Sequence, residues 1–158
     1  MDKNFFLIEH PIIKRDVTIL RDKNTDSEIF RAALQRVSNI LAVELSKEFR
    51  LTETEVETPL EKTGGAKLAN DVILVPVLRA GLGMVNGFLQ IIPEAKVGHI
   101  GLQRNEETLK PVEYYYKVPK NLESAEVVLL DPMLATGGSA SEALKYLKKR
   151  GAKKLVIN

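Results

Sequence analysis

Asp131, Thr136, Gly137, Gly138 and Ser139 fall within nine consecutive residues, directly after the apolar run 127–130 and at the mouth of a helical pattern spanning 139–150. A helix mouth presents unpaired N–H groups and the positive end of the helix dipole, so it attracts anions. Glycines let the main chain approach a ligand closely, and the two hydroxyls add donors. This pattern suits a monophosphate. It lacks the Gly-Lys-Ser/Thr ending of a nucleoside-triphosphate loop and the spacing of a dinucleotide fingerprint. A tight strand-to-helix turn with Thr136 or Ser139 as N-cap is the competing reading on composition alone.

Asp131 separates the two readings. A carboxylate beside a phosphate cradle repels the anion unless it addresses another group, and a sugar diol is that group in a phosphorylated ribose. Arg79 and Arg104 each stand just beyond an apolar run, 72–78 and 97–102. Guanidinium forks suit a second, more highly charged phosphate group, although singly either arginine would pass as a surface ion-pair partner.

Those residues need a scaffold that brings strand ends together. Residues 72–78 and 127–130 are continuously apolar, as strands covered on both faces are, and Pro76 points to an edge or irregularity in the first. Helical spacing follows each, at 82–92 and 139–150, with Gly151 as C-terminal cap and a last apolar segment at 155–157. Thr25 and Glu28 make a capping box for an earlier helix carrying Phe30, Leu34, Val37, Leu41 and Leu45. Residues 1–25 read as an N-terminal arm of short extended pieces. Residues 53–60 alternate like an edge strand or hairpin, with Gly64-Gly65 turning the chain. The alternation of strands and helices predicts an α/β fold, a mostly parallel twisted sheet flanked by helices, in one domain over 1–158. Ligands of such sheets sit beyond the carboxyl ends of the strands.

Composition narrows the class. With 158 residues, 44% hydrophobic and 28% charged, the chain is that of an ordinary globular domain. A net charge of +2 with dispersed basic residues argues against a nucleic-acid surface. The lysines and arginine at 145–154 read as a solvated helix face. No apolar run is long enough for a membrane span, and the absence of cysteine fits a cytoplasmic location. His10 and His99 are poor general-base candidates, the latter read as a structural histidine.

In this order, "DPMLATGGSA" (131–140), "VPVLRAGLGMV" (75–85), "GHIGLQRNEETLKPVEYYYKVP" (98–119) and "HPIIKRDVTILRDKNT" (10–25) resemble the uracil phosphoribosyltransferases, within the type I phosphoribosyltransferase family. The resemblance runs over essentially the whole chain. It implies transfer of phosphoribosyl from 5-phosphoribosyl 1-pyrophosphate to uracil, giving UMP and pyrophosphate. By position, Asp131, Pro132, Met133, Leu134, Ala135, Thr136, Gly137, Gly138 and Ser139 would bind ribose and its 5-phosphate. Arg79 and Arg104 would hold the pyrophosphate, and Mg2+ would ride on the substrate. Residues 105–120 would be a flap over the reactive sugar. The lone Asp131 after Leu130 matches the uracil enzymes, whereas Asn86 stands where they commonly have an acidic residue. The resemblance further implies a homo-oligomer, dimer or larger, and leaves activation by GTP open. It also places the groups that read the uracil ring beyond residue 158, so the chain is expected to be C-terminally incomplete. A catalytically silent nucleotide-binding module is the alternative function, and a structural partner subunit a third.

Overall fold

The computed structural model describes residues 6–104 and 111–157, with the side chain of Arg104 outside the description. Among the described residues, four helices and eight strands follow in the order α1 (Pro11–Arg21), α2 (Ser27–Ser46), β1 (Leu51–Glu57), β2 (Lys62–Leu68), β3 (Val72–Leu78), α3 (Leu82–Ile91), β4 (Lys96–Val97), β5 (His99–Arg104), β6 (Pro111–Lys117), β7 (Glu126–Leu130), α4 (Gly138–Lys149) and β8 (Lys154–Ile157).

The main sheet has the order β6-β5-β3-β7-β8, with β4 pairing β3. All its neighbours are parallel except β6, which runs antiparallel to β5 at one edge. Period two splits the apolar strands into two cores. Ile73, Val75, Val77, Ile100, Val127 and Leu129 face α4 through Ala140, Ala143 and Leu147. Val72, Leu74, Val128 and Leu130 face Met84 and Phe88 of α3 and Leu34 and Ala42 of α2. Both faces of β3 and β7 are therefore covered, which is why their sequences do not alternate.

Pro76 lies in a central strand, not at an edge. Its missing donor is tolerated because Pro76 shares its side of β3 with Leu74, whose carbonyl accepts from Gly98, and Gly98 interrupts the pairing there between β4 and β5. The segment 97–102 is accordingly two short strands rather than one.

Three local expectations are corrected. Much of the stretch read as an extended arm is helix α1, capped by His10 Nδ1 accepting from the Ile12 N–H. Asp16 on α1 is fully buried and takes bonds from Arg36 of α2 at 2.8 and 3.0 Å and from Arg15 at 2.9 Å. Asp26, not Thr25, caps α2, accepting from the Glu28 and Ile29 N–H groups at 2.9 Å each. Thr25 instead donates to the Ile19 carbonyl at 2.8 Å. Finally, Gly64 and Gly65 lie inside β2, opposite Glu55 and Thr54. The β1–β2 turn is made at 58–61, where the Thr58 hydroxyl donates to the Glu61 carbonyl and accepts from the Leu60 and Glu61 N–H groups.

Candidate functional site

Strands β5, β3 and β7 are parallel neighbours, so the loops that leave them open on one edge of the sheet. Leu78 of β3 pairs with Gly101 of β5, and Pro76 pairs with Leu130 of β7. Arg79 and Asp131 thus each occupy the first position past a core strand, and Gln103 and Arg104 end the third. The sequence is built for this placement: apolar residues continue until the sheet runs out of cover, and the first charged residue marks the rim.

Gly81 brings the first two loops together. A Cβ there would lie 2.3 Å from the Leu130 carbonyl oxygen and 2.7 Å from the Val77 nitrogen. Only glycine lets the loop after β3 rest against the end of β7, one residue from Asp131. Its N–H donates to the Val77 carbonyl at 2.9 Å, and α3 starts from it without a side-chain cap. The Leu78–Arg79 peptide is cis, and Arg79 is exposed, with no ion pair to any described residue.

The loop after β7 is folded by its own main chain. Asp131 Oδ1 accepts from the Met133 N–H at 3.1 Å, closing an Asx turn. Met133 and Leu134 are turned out to solvent. Ala135 (φ 45°) and Gly137 (φ 74°) adopt left-handed conformations, and the Gly137 N–H donates to the Leu134 carbonyl at 2.6 Å. Helix α4 then starts, its first bond running from the Ser141 N–H to the Gly137 carbonyl at 2.8 Å. No side chain caps it. Thr136 and Ser139 therefore do not serve as N-caps, and the amides of Gly138, Ser139 and Ala140 have no partner within the helix. Partial burial raises the Asp131 carboxyl above its ordinary value, with the Met133 N–H pulling the other way.

The candidates from sequence are thus largely assembled. Asp131 through Ser139 and Arg79 meet at one rim. The backbone of Arg104 is placed there by β5, opposite Pro111. Residues 105–110 of the expected flap lie outside the described residues, while 111–117 form β6. Among the described residues no three His, Cys, Asp or Glu side chains gather as a metal cage, and Asp131 is the single acid of its loop. His10 caps a helix, and His99 opens β5 opposite Lys117. Sequence reasoning missed the contact at Gly81, for which the signal was a glycine two residues beyond a charged strand end. It also missed the ring of Tyr114 lying against Gly101, where a Cβ would come within 2.6 Å of it.

The family model described as uracil phosphoribosyltransferase matches residues 7–158. A uracil phosphoribosyltransferase of Finegoldia magna is 51% identical over 152 residues, covering 96% of this chain and 73% of that protein. One of Clostridium tetani is 53% identical over 147 residues, covering 92% and 70%. Among solved structures, a protein of Aquifex aeolicus superposes with a TM-score of 0.89 at 39% identity, over 96% of this chain and 73% of that one. A purine phosphoribosyltransferase of Pyrococcus horikoshii, at 22% identity and a TM-score of 0.58 over 78% of this chain and 68% of that one, shares the fold.

Proposed function

The chain belongs to the uracil phosphoribosyltransferase family, and we propose that its rim of strand ends binds 5-phosphoribosyl 1-pyrophosphate for transfer to uracil, yielding UMP and pyrophosphate. The observation that carries this reading is the uncapped mouth of α4 beside Asp131. In it, the 5-phosphate accepts from the Gly138, Ser139 and Ala140 amides, with the Thr136 and Ser139 hydroxyls as further donors. Pro132, Met133, Leu134, Ala135 and Gly137 shape the turn that carries them. The Asp131 carboxylate accepts from the ribose hydroxyls.

In the transfer, the bond from C1′ to the pyrophosphate oxygen breaks, a bond from C1′ to uracil N1 forms, and the N1 proton passes to solvent water. Positive charge develops on the sugar and negative charge on the leaving group. Arg79 and Arg104 are assigned to the pyrophosphate, where fixed guanidinium charge stabilises its departure. The Asp131 carboxylate lies on the side of the cationic ribose. The lone acid of the loop suits a cation carried by substrate oxygens better than one caged by protein, and Mg2+ carried in that way would supply further positive charge to the leaving group. No side chain need attack the sugar, so catalysis rests on placement and preset charge.

The same proposal includes a cytoplasmic enzyme that assembles as a dimer or larger, activated by GTP. Exposed Leu51, Val56 and Leu60 on the β1–β2 hairpin fit a second copy. No described helix is long and apolar enough to cross a membrane. The direct test is UMP formation from uracil and magnesium phosphoribosyl pyrophosphate, measured beside binding of the latter. Turnover that is lost in Asp131→Asn supports the reading. Tight binding without any turnover would instead make the chain a silent nucleotide-binding module.

A further inference from the structure

Helix α4 starts in the phosphate loop, and its far end is anchored to a different part of the rim. Arg150, the residue after α4, donates from Nη2 to Glu113 Oε1 of β6 at 2.8 Å. Its guanidinium lies 3.9 Å from the ring centroid of Tyr116 on β6 and 5.4 Å from that of Tyr146 on α4. The basic cluster expected to be a solvated helix face thus contains ties between elements: Arg150 is one, and Lys154 of β8, donating to Glu126 of β7 at 2.6 Å, is another. Glu113 is well covered, at 19% side-chain exposure, and its second oxygen is buried without a partner among the described residues. Arg150 is its single described counter-charge.

The register explains what this tie fixes. Gly101 pairs with Tyr115 and Leu102 with Glu113, so Tyr114 is an extra residue in β6. This bulge turns Tyr114 onto Gly101 and Glu113 toward α4. The next two pairs are Gln103 with Val112 and Arg104 with Pro111. Glu113 therefore sits opposite a residue only two positions, about 7 Å, from the end of β5. Arg150 itself is about 18 Å along the helix from the phosphate loop, too far to touch a ligand there.

We propose that Arg150 is a positioning residue: by clamping Glu113 and Tyr116, it fixes the end of β5, with Gln103 and Arg104, relative to the phosphate loop at the other end of α4. The clamp sets the distance between the pyrophosphate subsite and the 5-phosphate subsite without contacting either. The inference rests on the assignment of Arg104 to pyrophosphate made above.

The test compares two partial ligands. Magnesium pyrophosphate and ribose 5-phosphate are titrated separately into the unaltered protein and into Arg150→Met, Arg104→Ala and the double variant Arg150→Met with Glu113→Gln. Arg150→Met is expected to weaken pyrophosphate about tenfold while ribose 5-phosphate binds as before. The double variant leaves no uncompensated carboxylate, so it reports the same selective loss where the single variant folds poorly. Equal weakening of both ligands, or of neither, in the folded double variant would overturn the clamp. Should Arg104→Ala bind pyrophosphate unchanged, the subsite assignment itself fails, and the clamp with it.

Discussion

Two pairs of helix mouths in this molecule are built on opposite principles. Helices α1 and α2, which precede all the strands in the chain, start with side-chain caps: His10 for one and Asp26 for the other. Helices α3 and α4, which start from the carboxyl ends of β3 and β7, open on Gly81 and Gly137 with no side-chain cap. A cap on an exposed mouth contributes about 1 kcal/mol, so both rim helices forgo an ordinary source of stability. The two rim mouths differ in their amides: at α3 the Leu82, Gly83 and Met84 N–H groups are taken by the Arg79, Ala80 and Gly81 carbonyls, whereas at α4 those of Gly138, Ser139 and Ala140 are left unpaired, and there the ligand is expected.

That contrast can be broken by substitution. Gly81→Ala should have the largest effect, because its Cβ would meet the Leu130 carbonyl at 2.3 Å. Relieving that overlap is expected to lower stability by about 3 kcal/mol and to disable phosphoribosyl pyrophosphate binding, read by thermal unfolding and by titration. Asp131→Asn should reduce kcat about a hundredfold, equivalent to about 2.7 kcal/mol in the barrier. It should also melt no lower than the unaltered protein at neutral pH. The sign follows from burial, which raises the folded carboxyl and so opposes ionisation in the native state. The charge costs stability at neutral pH, and the advantage of asparagine should shrink as pH falls through the raised folded value and be gone at the ordinary carboxylate value.

Away from the rim, Asp16→Ala should lower stability by about 2 kcal/mol with little change in kcat. The Arg36 hydrogen bonds, with help from Arg15, hold the Asp16 carboxyl below its ordinary value despite burial. Its stabilisation is therefore present above the ordinary carboxylate range and lost as pH falls toward the depressed folded value. Asp26→Ala should show the smallest effect, about 1 kcal/mol of stability and no change in UMP formation. Loss of activity in Asp26→Ala would blur the division between the two kinds of mouth.

Much of this division was legible in the sequence. The apolar runs of β3 and β7, followed at once by Arg79 and Asp131, gave the sheet and its rim, because burial on both faces leaves a continuous signature. The Thr136-Gly137-Gly138-Ser139 stretch marked the helix mouth, but composition left open whether a hydroxyl would cap it. Backbone conformation decides that point, through the left-handed Ala135 and Gly137. Helix α1 was missed because its stabilising feature is a buried acid, Asp16, whose arginine partner Arg36 lies twenty residues away. Pro76 reads as an edge or an irregularity, and the sequence could not choose between them because the irregularity is a break at Gly98 in a neighbouring segment. The role of Arg150 was hidden in a run of lysines, since a tie to Glu113 across 37 residues leaves no local trace.

The most direct measurement is amide-resolved NMR during titration with ribose 5-phosphate. The account predicts saturable shifts of the Gly138, Ser139 and Ala140 amides, while the Glu28 and Ile29 amides held by Asp26 stay in place. Unmoved α4 amides at saturating ligand, or equal shifts at both helix mouths, would contradict it.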